Sequence, residues 1–465
     1  MIRKNLGFFL LIIIFSFFFF FRLGWDSLSS WDEAWYGSIA KEITKTGDFI
    51  NLKWNGNPYY DHPPIGFWLM AISYKVFGVN EFSTRLPSAI LGLLTIIVVY
   101  LIADELFNEK TIAFITSLIL GTSVWYVLRV RSGNLDSVLI FFYATTIYFS
   151  LKSSKSFHWF PVTLVSLACL LLSKTLFGAS AILLVFFLNL KQFLNIRKNL
   201  ITVVVALLLF SIIFIPWYYW QSRHFPDFLN YHFFTLGMRG KTLMSVFDIK
   251  LDPSLFYLHM GVRKWYYLWI LSCVFLFISL NFINQKIFLL FFWNILVLFP
   301  FLSSKKTELW HLIPVYLPIC FLTAYGIFAM FLRVLKNKKL TKILYLLFFL
   351  AIAGIQIKTF FFEVIPTKKY TPDEVDIAQK AEKYTQDIYL VDDFLPRVVF
   401  YSKHNIIPLM YEKDGEQALV KLYRSDRQNF VVIASSWMGE QLKEAQIPYK
   451  TLEKNNSFSI FSRFD

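Results

Sequence analysis

The run from Leu6 to Phe21, LGFFLLIIIFSFFFFF, carries no charge, and similar apolar stretches recur as far as about residue 363. A helix crossing the hydrocarbon core of a bilayer needs about 20 mostly apolar residues. Length alone allows two or three soluble domains. No soluble core holds this many continuous apolar runs, with 53 Phe, 56% hydrophobic residues and a mean hydropathy of +0.52. The chain reads as a polytopic α-helical membrane protein.

Spans are expected near 6–22, 86–106, 111–128, 137–151, 159–173, 175–190, 199–216, 263–283, 287–302, 310–332 and 343–363, about 11 in all. Alternating sides along that map sorts the short-loop cations. The N-terminal side collects Arg3, Lys4, Lys110, Lys152, Lys155 and nine more, whereas the opposite short loops hold only Arg129, Arg131, Lys174, Lys305 and Lys306. That bias puts the N-terminus in the cytoplasm and, with an odd count, the C-terminal region outside, in a plasma (inner) membrane. It also accounts for the net charge of +15 without a nucleic-acid partner. Arg3 and Lys4 before the first run resemble a signal peptide, but no small-residue cleavage site follows, so an uncleaved anchor is expected. Cys169, Cys273 and Cys320 all sit in apolar runs and form no disulfide or zinc pattern.

Two long loops face outward on this map, 23–85 and 217–262, both rich in Trp, Tyr and Phe as interfacial segments are. Residues 1–365 are expected to form the transmembrane domain. From 366 to 465 the apolar runs shorten to strand length, and Ile388–Val391, Ile406–Leu409 and Phe430–Ala434 alternate with helical patterns. This predicts an extracytoplasmic α/β domain with a small, mainly parallel sheet, opened by a capping box at Thr371-Pro372-Asp373-Glu374. No internal repeat and no helix broken at mid-membrane is read from the sequence.

The first outer loop holds the densest polar pattern, from Trp31 to Trp68. Ser30 to Glu33 reads as a capping box opening a helix that stops at Gly47. Acidic residues there complement the helix dipole, and a carboxylate at the mouth of a membrane cavity is equally suited to take a proton from a hydroxyl. Asp61-His62-Pro63-Pro64 holds its first two residues extended and then starts an apolar helix. Without a third ligand, Asp–His is a weak metal pattern. Arg129, Arg131 and Lys174 run against the charge bias, as do Lys305 and Lys306. Ionisable groups at membrane depth are costly, and cations gathered on one face suit a phosphate. Snorkelling toward the interface is the alternative for each taken singly.

In combination these motifs resemble the GT-C glycosyltransferases that use polyprenyl-phosphate sugars, namely the protein O-mannosyltransferase family and the lipid A aminoarabinose transferases. The segments carrying the resemblance are WDEAWYGSIAKEITKTGDF, NGNPYYDHPPIGFW, FSTRLPSAI, NLDSVLIF, LLSKTLFG, PWYYWQSRHFPDFLNY and SSKKTELWHLIPVYLP. The resemblance implies transfer of a sugar from a polyprenyl-phosphate donor to a hydroxyl of a glycolipid, glycan or protein, at the bilayer's outer face. It implies catalytic roles for Asp32, with Glu33 beside it, and for Asp136. It implies phosphate or donor contacts at His62, Arg129, Arg131, Lys174, Arg239, Lys305 and Lys306. Asp61 falls where the aminoarabinose transferases have a metal ligand, which raises a divalent metal as cofactor. Their metal histidine aligns near Gly237 and is absent, with His232 the nearest substitute. The competing expectations are a transporter or flippase of lipid-linked or anionic substrates, and an assembly protein that docks partners through its α/β tail.

Overall fold

The computed structural model describes residues 2–174, 178–237, 251–279, 284–302, 308–409 and 415–463. They fall into two compact units. One takes Met1–Arg22, Tyr60–Gly66 and Leu86–Ile365, and the other takes Leu23–Tyr59, Phe67–Arg85 and Pro366–Asp465. The C-terminal segment therefore groups with most of the first outer loop.

The first unit is helical. Among the described residues, five helices are long and apolar enough to cross a membrane: Glu81–Phe107, Arg197–His224, Gln285–Leu302, Leu309–Leu335 and Lys338–Val364. Two bent pairs raise this to seven if each is one span, with shorter apolar helices at Leu6–Phe20, Ile65–Phe77 and Phe157–Leu171. Among the described residues this is fewer than the expected count of about 11, partly because several expected spans are short or broken. The expected 175–190 span begins in undescribed residues, and its described part is the helix Ser180–Leu188.

The helix Ile313–Leu335 is buried along most of its length and packs against Lys110–Gly121, Lys264–Ile278, Gln285–Leu302 and Lys338–Val364. Gly326 permits the approach of Lys264–Ile278. A Cβ there would lie 1.8 Å from Ser272 Oγ, which itself donates to Leu322 O at 2.5 Å. Small residues at such crossings let helix backbones come close. Ile196–His224 leaves most of its apolar side chains outward, as a lipid-facing helix would.

Both breaks differ from the sequence expectation. Lys110–Gly121 and Val124–Val130 meet at 70°, and Pro253–Val262 meets Lys264–Ile278 at 113° around Arg263, whose φ is +48°. A break strands backbone groups that need partners inside the bundle. Gln356, only 2% exposed, serves both: its Nε2 donates to Thr122 O at 2.5 Å and its Oε1 accepts from Lys264 N at 3.2 Å. Trp265 Nε1 adds a hydrogen bond to Thr122 Oγ1 at 3.0 Å. Hydropathy averages over such bends.

In the second unit, the helix Asp32–Thr46 ends at Gly47 in the left-handed conformation (φ +75°), as expected. Its predicted capping box does not form. Trp31 stands at the N-cap, and Glu33 reaches past Ser30 to accept from Ser29 N at 2.9 Å. A short ribbon follows, β1 (Lys53–Trp54) with β2 (Asn57–Pro58). The box at Thr371 is likewise absent, because Pro372 itself takes the N-cap of Asp373–Ala381.

The sheet has five strands in the order β4-β3-β5-β7-β6: β3 Asp387–Leu390, β4 Ile406–Pro408, β5 Phe430–Ser435, β6 Tyr449–Lys454 and β7 Phe458–Arg463. The three expected strands pair in parallel, and β6–β7 form an antiparallel hairpin the sequence reading missed. Its turn is an Asx device, with Asn455 Oδ1 accepting from Ser457 N and Phe458 N at 3.1 and 2.8 Å. The edge strand β4 is closed by Asn55, whose amide group donates to Ile406 O at 2.7 Å and accepts from Ile406 N at 2.6 Å. Helix Leu395–Ser402 packs on Asp32–Thr46, and the Tyr401 hydroxyl accepts from Leu28 N at 2.8 Å.

Candidate active site

The turn between Val124–Val130 and Asp136–Lys155 reads RSGNLD, and its backbone is tied by its own side chains. Asn134 Oδ1 accepts from Asp136 N, two residues on, at 2.8 Å, while Asn134 Nδ2 donates to Arg129 O at 2.6 Å. Ser88 Oγ donates to Asn134 O at 3.2 Å. These bonds present Asp136 inward, 1% exposed, to two cations. Arg129 Nε lies 2.6 Å from its Oδ2, and Lys174 Nζ lies 2.6 Å from its Oδ1. The Arg129 guanidinium also stacks over the Trp310 ring at 5.4 Å. Trp310 belongs to the tight turn Leu309–Leu312 that starts the central helix, where His311 Nδ1 accepts from Glu308 N at 2.9 Å.

Two cations share one carboxylate, dry and fixed. Desolvation strengthens each charge interaction, and the carboxylate holds both cations in place. Such a centre suits a phosphate ester, which needs preorganised cations as it leaves. Asp136 is itself clamped, a geometry that orients cations rather than one that collects a proton. Arg131 donates to Phe18 O at 2.6 Å and Phe19 O at 3.3 Å, which ties the C-terminal end of the first helix.

The Asp61-His62-Pro63-Pro64 segment lies in the same unit. Pro63 and Pro64 are buried, and the helix starts at Ile65, as expected. Gly66 rests on Leu135, where a Cβ would stand 2.2 Å from its Cδ2, so this segment abuts the Asp136 turn. The Asp61 carboxylate accepts a hydrogen bond from the Tyr231 hydroxyl, and burial raises its pKa above the usual carboxylate value. His232 follows, fully buried, with Nε2 3.3 Å from the Tyr218 hydroxyl, and burial lowers its pKa to about 4. His62 is half-buried. Among the described residues no group of three His, Cys, Asp or Glu side chains assembles, so Asp61 gains no co-ligands and we derive no step through a metal.

Asp32 and Glu33 belong to the second unit. Glu33 turns inward, 5% exposed, and forms a bidentate pair with Arg85: Nε to Oε1 at 2.8 Å and Nη2 to Oε2 at 2.9 Å. Arg85 Nη1 also donates to the carbonyls of Leu23 and Asp26 at 3.0 and 2.8 Å, so Glu33 anchors the loop's entry. Asp32 opens the helix half-buried. Arg239, Lys305 and Lys306 lie outside the described residues. The sequence reading missed Asn134, Trp310, Tyr231 and the Arg85 partnership. An arginine at the entry to an apolar helix was the available signal for the last.

A family model described as dolichyl-phosphate-mannose-protein mannosyltransferase matches residues 61–220, which contain Asp61, Arg129, Asp136 and Lys174. An undecaprenyl phosphate-alpha-4-amino-4-deoxy-L-arabinose arabinosyl transferase of Shewanella sediminis is 25% identical over 360 residues, 74% of this chain and 64% of that protein. The corresponding transferase of Pseudomonas savastanoi pv. phaseolicola is 29% identical over 156 residues, 32% of this chain and 28% of that one. An uncharacterized Aquifex aeolicus protein is 26% identical over 245 residues, covering 51% and 47%. The chain thus spans less than two thirds of the length of these curated relatives. In structure it resembles ArnT from Cupriavidus metallidurans bound to undecaprenyl phosphate (TM-score 0.72, 17% identity, 98% of each chain). It also resembles the oligosaccharyltransferase AglB from Archaeoglobus fulgidus (TM-score 0.59, 11% identity, 99% of this chain and 74% of that one). The chain has the fold of the GT-C glycosyltransferases, and it resembles the lipid A aminoarabinose transferases and the protein O-mannosyltransferase family.

Proposed function

We propose that this protein is an integral membrane glycosyltransferase that moves a sugar from a polyprenyl-phosphate donor to an acceptor hydroxyl outside the cytoplasm. The observation that carries the proposal is the buried Arg129–Asp136–Lys174 centre, which lies within the stretch similar to the mannosyltransferases and suits a lipid-linked phosphate. In this reading the N-terminus is cytoplasmic, and the α/β segment lies on the outer side of the plasma (inner) membrane.

The chemistry is a single displacement. Asp32 takes the proton of the acceptor hydroxyl as its oxygen bonds to the anomeric carbon. The bond from that carbon to the phosphate oxygen breaks, and polyprenyl phosphate leaves with the electron pair toward Arg129 and Lys174. Attack opposite the leaving group inverts the anomeric centre. Base assistance of this kind contributes roughly 100- to 10,000-fold. His62, Arg239, Lys305 and Lys306 complete the donor contacts, while Arg131 and Glu33 position the first helix and the loop. A divalent metal held by Asp61 stays outside this scheme, since no co-ligands assemble beside it among the described residues, and chelation tests its role.

One observation favours a second reading. The two bent helix pairs are a feature that transporters of lipid-linked or anionic substrates also use. The test is donor consumption: purified protein incubated with polyprenyl-phosphate sugars and an envelope glycolipid should release polyprenyl phosphate and a labelled product. Movement of intact donor across a proteoliposome membrane, with no release, would replace the enzyme by a transporter.

A further inference from the structure

Leu28 lies just before the helix that Asp32 opens, and the α/β segment holds both of its backbone groups. Its N–H donates to the Tyr401 hydroxyl at 2.8 Å, and its carbonyl accepts from Arg397 Nε at 3.0 Å. Both holding side chains are themselves fixed: Tyr401 donates to Glu81 Oε1 at 2.9 Å, and Arg397 Nη1 pairs with Glu374. The same helix, Leu395–Ser402, holds Asp32–Thr46 further along. A Cβ on Gly37 would stand 3.1 Å from the Phe400 ring, and Lys41 Nζ donates to Phe400 O at 2.8 Å. Gly37 and Lys41 share one face of their helix, while Asp32 stands about 140° round it from Gly37. The α/β segment thus grips this helix by its entry and by one face, and Asp32 leaves from another.

We propose that Tyr401 and Arg397 are positioning residues for Asp32, so that the α/β segment sets where the base of the transfer reaction stands; this rests on the glycosyltransferase reading. The start of the helix needs outside support. Trp31 stands at its N-cap and provides no side-chain cap, so the first turn lacks the bond that usually secures it. Support comes from two directions instead. Arg85 takes Glu33 and the carbonyls of Leu23, Asp26 and Ser27, and the α/β segment takes Leu28. An uncapped first turn without these bonds frays, and a base displaced by about 1 Å can cost roughly 100-fold in rate.

The test is transfer of labelled sugar by the full chain in lipid nanodiscs, with Tyr401→Phe made in wild type and in Asp32→Asn. The substitution keeps the ring against Phe400 and removes only the hydroxyl. In wild type it should lower kcat by roughly 10- to 100-fold with the donor KM unchanged, because a displaced base is missed in the transition state alone. In Asp32→Asn it should lower the rate no further, since residues acting as a unit are not additive. Hydrogen exchange reads the grip without substrate. Amides from Leu28 to Tyr36 should exchange roughly tenfold faster in Tyr401→Phe, as loss of one buried hydrogen bond predicts, and those of Ile313–Leu335 at the wild-type rate. Arg397→Met removes the other half of the grip and should show both effects, which keeps the test open if Tyr401→Phe does not fold. Unchanged exchange overturns the grip. An unchanged kcat, or an equal fall in both backgrounds, overturns the positioning role and leaves the enzyme in place. Donor left intact by wild type sinks the glycosyltransferase reading itself, and the positioning role with it.

Discussion

Removing Asp136 should damage the protein more than removing either cation it holds, and the structure says by how much. Asp136 is 1% exposed and receives Arg129 and Lys174 at 2.6 Å each. In Asp136→Asn both cations stay buried and face each other across a neutral amide. Breaking a buried pair by deleting one partner costs about 3–5 kcal/mol. Lys174→Met is milder, because the Arg129–Asp136 pair survives, and the loss is one charge-assisted hydrogen bond of about 1.5–3 kcal/mol. The double variant removes one of the two stranded charges. Its cost should fall short of the sum of the singles by about 0.5–3 kcal/mol. Unfolding of the three variants and wild type in one detergent, followed by loss of the monodisperse peak on heating, gives the order. The reasoning fails if Asp136→Asn is as stable as wild type, if Lys174→Met is the worse single variant, or if the two effects add.

Three further outcomes follow from other contacts. Glu33→Gln should destabilise the second unit by about 3–5 kcal/mol by leaving Arg85 buried against a neutral amide, read as faster proteolysis of the 366–465 segment, whereas Asp32→Asn should leave that rate unchanged. Gln356→Leu should cost about 1–3 kcal/mol for each backbone group it strands at the two helix breaks, seen as a lower unfolding temperature. The Lys41 ammonium donates to Phe400 O at 2.8 Å, and burial, with Lys403 nearby, lowers its pKa from 10.5 to about 8. The folded form therefore sheds this proton before the unfolded chain does, so stability should rise as pH climbs from about 8 to 10.5. The gain is up to roughly 3 kcal/mol, and Lys41→Met, measured across the same range, should not show it.

Much of the architecture was legible from the sequence because hydropathy reports what a residue must avoid. The long spans at Glu81–Phe107, Lys338–Val364 and Leu309–Leu335 each extend an expected run, and the three parallel strands match short apolar runs. The hairpin β6–β7 was missed because YKTLEK is a half-exposed edge strand whose pattern resembles a polar loop. The breaks at Thr122 and Arg263 were missed because their cost is met far away in sequence, by Gln356. A glutamine in an apolar run was the visible sign. The charged residues were legible as candidates, but not their pairings. Arg129 and Lys174 were expected on a phosphate and Asp136 in a catalytic role, and the fold joins all three in one ion cluster, while Glu33 joins Arg85, 52 positions away. Which charges meet is set by tertiary packing, and no local pattern encodes it.

The central claim is sugar transfer with Asp32 as the base, and single-turnover transfer from a labelled polyprenyl-phosphate sugar, by wild type and by Asp32→Asn of equal thermal stability, tests it most directly. Wild type should convert donor to a glycosylated acceptor of inverted anomeric configuration, and Asp32→Asn should be slower by roughly 100- to 10,000-fold. Equal rates in the two proteins would remove Asp32 from the chemistry, and donor left intact by both would contradict the account altogether.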